Sequence, residues 1–168
     1  MELLDVFDEN GNFTGVSKPR QKVHEEGLWH KIACVFIINS KGEVLMQKRS
    51  EFKMTNPNGW TCSASGHVDA GESTLTGALR ELEEEIGVKA KEDDLKHIGT
   101  VFENYFTCGF KVKHISEVYL MYKDIKVDDL VYQEEEVAGA KYFKIDEVEK
   151  CDFKDKHPGI FELLKNKK

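Results

Sequence analysis

Between Ser73 and Gly87 the chain carries a pattern that an α-helix can use and a strand cannot. Leu75, Leu79, Leu82 and Ile86 recur at spacings of four, three and four, which lays them along one buried stripe of a helix. Ser73, after the turn-forming Ala70-Gly71, is suited to cap its start, and Gly87, just past the last periodic residue, to end it. On that helix Glu81, Glu84 and Glu85 stand at i, i+3 and i+4, so their carboxylates share one face beside the apolar stripe. A glutamate run on a helix is ordinarily a solvated face stitched by i,i+4 pairs, and Arg80 to Glu84 would be one such pair. Here Glu81, Glu83, Glu84 and Glu85 crowd the C-terminal end, where the helix dipole disfavours negative charge, so a cation is expected to offset them. Hard carboxylate oxygens converging on one point suit Mg²⁺, with Mn²⁺ as a substitute.

The 168 residues, 40% of them hydrophobic, predict a single domain with core enough to fold unaided. Cys34, Cys62, Cys108 and Cys151 are scattered without CxxC spacing, which argues against a zinc site and for reduced thiols packed in a cytoplasmic protein. There is no apolar run of transmembrane length and no signal-peptide pattern at the N-terminus, so no membrane partner is expected. A net charge of −7 disfavours nucleic acid, whose phosphates need clustered Lys and Arg. A phosphorylated small substrate is compatible with it, because a bound cation reverses the local sign.

Glu2 to Phe7, the turn Asp8–Gly11 and Thr14 to Ser17 read as a hairpin, and Pro19 to Gly27 as a short helical or irregular connector. Residues 1–27 thus precede a core over 28–168. His30 to Asn39 is a nearly continuous apolar run, as in a central strand buried on both faces. Glu43 to Lys48 returns as its antiparallel partner, and Trp60 to Ala64 makes another short strand. Beyond the helix, Ile98 to Phe106 and Lys111 to Lys123 alternate as two strands joined through Thr107–Gly109. A last strand over Val137 to Lys144 leads to helices around Asp146 to Lys150 and Gly159 to Asn166. This order predicts an α+β fold with a mixed sheet between helices.

The residues Gly66-x5-Glu72-x7-Arg80-Glu81-Leu82-x-Glu84-Glu85-x-Gly87-Val88 resemble the Nudix box, the signature of hydrolases that cut diphosphates linked to another moiety, and every signature position matches. The resemblance covers nearly the whole chain and implies the Nudix α/β/α sandwich. It implies Glu84 and Glu85 as core metal ligands, Glu81 as a further ligand or water-orienting group, and a contribution from the Gly66 carbonyl. Glu72 lies nine residues before Glu81, half a turn out of phase, so periodicity does not place it on the same face. In the family the matching residue often supports the box with Arg80 through a structural salt bridge, and Gly87 completes the structural set.

Diphosphates resist attack because their oxygens repel a nucleophile, so a site must neutralise charge and bring water in line. A fourth carboxylate often arrives from outside the box. Glu117, an acid amid the apolar strand residues 115–120, is the preferred source, with an outward strand-face glutamate as the plainer reading. Glu134, Glu135 and Glu136 are the rival source, but they follow Asp128-Asp129 and read as a solvated acidic loop. Arg49 and Lys53 could hold an outer phosphate or serve only solubility.

His30, Arg49-x3-Lys53, Asn58-Gly-Trp60-Thr61 and Ser65-Gly66-His67 are similar to the isopentenyl diphosphate isomerase branch of the superfamily. That family moves a double bond with a cysteine and a glutamate, beside a metal bound by histidines and glutamates. The cysteine's position is Ser65 here, which cannot easily serve as the same acid. His24, His30 and His67 echo its metal-binding histidines, although the spacing from His24 to His30 is one residue short, and His67 is also a substrate-side candidate. The isomerases have a degraded box, whereas this one is whole, so the expectation is a hydrolase of an isomerase-like subgroup acting on a small-molecule diphosphate. Isomerase-type activity and a non-catalytic nucleotide-binding module are the alternatives. A homodimer through the edge of the N-terminal hairpin is also expected to be open to this chain.

Overall fold

The computed structural model describes residues 1–167. Strands β1 (Leu3–Phe7) and β2 (Phe13–Pro19) pair antiparallel, and α1 (Arg20–Glu26) follows, closed by Gly27 in the left-handed conformation. Leu4 and Val6 of the hairpin bury against Val23 of α1 and Leu28, forming a small core of their own.

The main sheet is built around β3 (His30–Ile38), whose residues from Ala33 onward are buried, as a run apolar on both faces requires. Strand β8 (Phe110–Tyr122) runs parallel to it from His30↔His114 to Ile38↔Tyr122. At one edge β7 (Lys96–Thr107) pairs with β8 through a turn in which Cys108 and Gly109 both have positive φ. On the other side β4 (Val44–Arg49) meets β3 only at Ile37↔Leu45 and Ile38↔Val44, then pairs with β9 (Val137–Phe143).

The strand expected over Trp60 to Ala64 is in fact two. β5 (Trp60–Thr61) pairs with β4, whereas β6 (Ala64–His67) pairs with β3. The chain crosses between these partners at Cys62-Ser63, where β3 and β4 diverge. There the buried Ser63 hydroxyl accepts from Ile37 N–H at 2.8 Å and donates to the Leu45 carbonyl at 2.5 Å, replacing the ladder bonds lost at the split.

Helix α2 (Thr74–Ile86) covers one face of the sheet. Its N-cap Ser73 accepts from Thr76 N–H, and Gly87 ends it at φ 70°. Leu82 and Ile86 are fully buried and Leu75 and Leu79 partly so, against Ala33, Val35, Ile37, Tyr119 and Met121. The opposite face, with Cys34, Phe36, Ile38, Val118 and Leu120, is covered by α3 (Ile145–Lys150), α4 (Phe153–Lys156) and α5 (Pro158–Lys165). The short α4 turn was not expected from the sequence; Phe153 anchors it by packing edge-on to Phe36. The result is a mixed sheet between helical layers. Among the described residues no helix is long and apolar enough to cross a membrane.

Candidate active site

Alternation along β6 divides the site, because successive side chains of a strand point to opposite faces. Gly66 faces α2. Ser65 and His67 face the other layer.

On the α2 side, a Cβ added at Gly66 would lie 2.2 Å from Glu81 Oε1, so glycine is what lets this carboxylate rest against the strand. Arg80 organises the rest. Its Nε and Nη2 grip the two Glu72 oxygens at 2.9 and 3.0 Å, and Nη2 also reaches the His67 carbonyl at 2.9 Å. Its Nη1 donates to Glu81 at 2.8 Å and Glu84 at 3.2 Å. The bidentate pair with Glu72 crosses from the loop before the helix to its middle, which periodicity alone could not place.

Glu85 is 6% exposed and accepts from Ser65 N–H at 2.7 Å and Gln47 Nε2 at 3.2 Å, both uncharged donors. Burial pushes the Glu85 carboxyl up to about 8 and Glu81 up to about 7, the Arg80 charge at Glu81 notwithstanding. Glu84 is the open member of the set, its side chain 51% exposed. The acidic face is therefore not closed around one point: Arg80 stands between Glu81 and Glu84, and Glu85 turns to the β6 backbone.

The other sequence-derived residues divide. Glu117 accepts from Thr100 Oγ1 at 2.6 Å and pairs with His97 at 2.7 Å and Lys31 at 3.6 Å. Glu136 instead lies where its charge helps raise the Glu81 carboxyl, and it is ion-paired to Lys53. In the sequence it belongs to the rival source to Glu117, within a loop read as solvated. The pairing of β9 with β4, which bonds the Glu136 carbonyl to Ser50 N–H, carries it to the helix end. Arg49 braces its own loop, its guanidinium donating to the Thr55 carbonyl at 3.0 and 2.8 Å. A cleft lined by Asp5, Phe7, Lys31, Asp69 and Thr74 opens at the other end of α2; of the box residues only Glu72 lines it.

On the far face His67 joins His24 of α1, His30 of β3 and His114 of β8 in one cluster. His114 had no signal in the sequence beyond its parity with Ser116 on β8. Burial holds His30 down to about 4 and His67 and His114 well below the usual range, with His24 also lowered, so burial favours the neutral form of each imidazole.

The donor set on α2 fits a hard divalent cation. Its oxygens are carboxylates, those of Glu81 and Glu85 are too buried to ionise readily unaided, and Glu85 has no positive partner among its hydrogen-bond donors.

The NUDIX domain family model matches residues 28–166, and the chain belongs to the Nudix family, enzymes that act on pyrophosphate bonds. An uncharacterized Nudix hydrolase of Clostridium acetobutylicum is 32% identical over 163 residues, covering 95% of this chain and 78% of that one. An isopentenyl-diphosphate Delta-isomerase of Pectobacterium atrosepticum is 30% identical over 150 residues, covering 88% and 80%. The chain is 36% identical to Nudix hydrolase 3 of Arabidopsis thaliana over 151 residues but spans only 20% of its length. The fold is shared with the crystal structure of DR0079 from Deinococcus radiodurans, at a TM-score of 0.73 and 20% identity over 98% of each chain.

Proposed function

We propose that this protein hydrolyses a phosphoanhydride bond in a nucleoside diphosphate linked to another moiety, or in a related organic diphosphate, using Mg²⁺ or Mn²⁺. The observation that carries this reading is the complete carboxylate set, with Glu85 buried without a charged partner and Glu81 resting against Gly66, where any side chain would displace it.

Glu81, Glu84 and Glu85 would hold the metal, with the Gly66 carbonyl as a further ligand. When bound, such a cation neutralises phosphate oxygens and lowers the pKa of a coordinated water. Arg80 fixes Glu81 by tying it to the Glu72 side of the helix, so one carboxylate is held before substrate arrives. Glu84, open to solvent, can take the proton of an attacking water. Glu136 and Glu117 are the outer carboxylates; the first acts on Glu81 and the second is held by Lys31 and His97. Lys53 would release Glu136 to meet an outer phosphate, and Arg49 would keep the loop that presents Lys53 in place.

The isomerase relatives support a second reading, but the residue before Gly66-His67 is Ser65, whose hydroxyl is a far weaker acid than a thiol. A single substrate partner and a reducing, cytoplasmic setting accord with this reading. Self-association through the hairpin is checked by sedimentation.

The test is mass spectrometry of products from a panel of nucleoside diphosphate derivatives plus isopentenyl diphosphate, with and without Mg²⁺. Cleavage only with metal is expected. Mass-neutral conversion of isopentenyl diphosphate would replace this reading with the isomerase, and binding without turnover would replace it with a sensor.

A further inference from the structure

On the sheet face away from α2, one buried carboxylate is bonded at both of its oxygens. Glu103 of β7 is 9% exposed; Ser116 Oγ of β8 donates to its Oε1 at 3.2 Å, and His157 Nδ1 lies 2.7 Å from its Oε2. A carboxylate only accepts, so Nδ1 carries the proton, and in the neutral ring Nε2 presents a lone pair. The His157 side chain is 26% exposed, and among the described residues its Nε2 has no hydrogen-bond partner. One group thus fixes the tautomer and the aim of an imidazole whose other nitrogen is left for a ligand.

The imidazole stands beside the candidate site. His157 joins α4 to α5 and packs against Phe153 and Tyr105, with ring centroids 5.3 and 6.5 Å away. Tyr105 in turn meets His114 edge-on at 6.2 Å, which sets His157 next to the face of β6 that carries His67. The neighbouring Lys156 donates to the Asn56 side chain, in the loop that carries Lys53. Cys108, in the turn between β7 and β8, donates to the Met54 carbonyl of the same loop at 3.5 Å. The α4–α5 junction, the Lys53 loop and this turn therefore adjoin one another at the end of the sheet where β6 replaces β4 as the partner of β3.

We propose that His157, aimed by Glu103, is a specificity-determining residue that accepts a hydrogen bond from a hydroxyl or amino group on the organic moiety beyond the phosphates. This rests on the α2 carboxylates holding the diphosphate. The substrate class it selects is a polar, hydroxylated diphosphate such as a nucleotide sugar, in preference to an alkyl diphosphate. An alkyl chain has no hydrogen to give Nε2, and seating one there would take water from the lone pair without replacing it. A site built around a fixed acceptor discriminates against the ligand that lacks the donor. Lys53, on the adjoining loop, is the charge available to the outer phosphate of the same ligand. Glu103 touches no ligand itself and acts as a positioning residue, with Ser116 holding its second oxygen.

The experiment measures Kd by calorimetric titration of the full-length protein at pH 8 with ADP-ribose, ADP and isopentenyl diphosphate, with Ca²⁺ in place of Mg²⁺ so that binding is read apart from turnover. His157→Asn keeps an N–H for Glu103 and deletes Nε2. It should weaken ADP-ribose about tenfold, as expected for one hydrogen bond, and lower its preference over isopentenyl diphosphate by a similar factor. Glu103→Gln keeps the imidazole but loosens its tautomer, so it should lower the same preference and decides the matter if His157→Asn fails to fold. Weakening of ADP-ribose alone puts the donor on the terminal sugar, and equal weakening of ADP puts it on the adenosine. In the wild type the ¹⁵N resonance of His157 Nε2 should move when ADP-ribose saturates the protein. An unchanged preference in the folded variants, an Nε2 resonance that ADP-ribose leaves in place, or a wild type that binds neither adenine ligand would each overturn the assignment. Binding through His157 without cleavage of any diphosphate in Mg²⁺ would sink the hydrolase reading alone, whereas metal-dependent cleavage indifferent to His157 and Glu103 would sink this one alone.

Discussion

Replacing Glu85 by Gln should remove a pH dependence that this carboxylate imposes on the metal-free protein. The group is 6% exposed, and burial raises it from an ordinary 4.5 to about 8. The folded state therefore binds this proton more tightly than the unfolded chain. The stability it gives is fully present below pH 4.5 and is lost as pH rises through 8. At about 1.36 kcal/mol per tenfold change in proton affinity, the loss is about 3 kcal/mol by pH 7 and about 4–5 kcal/mol above pH 9. Glutamine keeps an acceptor for Ser65 N–H and cannot ionise. The assay is urea unfolding of both proteins in EDTA at pH 5, 7 and 9, followed by circular dichroism. Glu81, also raised, contributes a slope to both, so the difference between the two curves isolates Glu85. The variant should gain about 2.5 kcal/mol on the wild type between pH 5 and 7. Mg²⁺ should return part of the lost stability to the wild type alone. Parallel curves from pH 5 to 9 would refute the buried, uncompensated carboxylate.

Three other substitutions probe the scaffold. Gly66→Ala places a Cβ 2.2 Å from Glu81 Oε1 and should cost about 1–3 kcal/mol in urea unfolding while cutting metal-dependent turnover. Arg80→Ala strands Glu72 and Glu81; with the Arg80 side chain 26% exposed, about 2–4 kcal/mol is expected, readable as a lower urea midpoint. Ser63→Ala leaves the Ile37 N–H and Leu45 carbonyl without their bridge and should cost about 1–3 kcal/mol, with faster hydrogen exchange at Ile37.

The α2 helix was legible from four apolar residues, a serine and a glycine, because its caps and its stripe are local facts. Central strand β3 was equally plain, since only a strand covered on both faces is apolar throughout. What the sequence could not convey is non-local. The break at Ser63 depends on how far β3 and β4 diverge, which no residue in the Trp60 to Ala64 segment encodes by itself. Glu136 looked like one acid in a solvated loop because its approach to Glu81 is set by β9 pairing with β4, almost ninety residues away in the chain. Of the histidine cluster the sequence offered His24, His30 and His67, whereas His114 joins them through the parallel pairing of β3 with β8.

The most direct test of the central claim is turnover of the diphosphate panel in ¹⁸O-labelled water by wild type and Glu84→Gln, each with Mg²⁺ and with EDTA. Metal-dependent cleavage that places one ¹⁸O in a phosphate product is expected from the wild type, with near-complete loss in a variant whose circular dichroism is unchanged. Equal turnover in Glu84→Gln, or cleavage that persists in EDTA, would contradict metal-assisted hydrolysis at the α2 carboxylates.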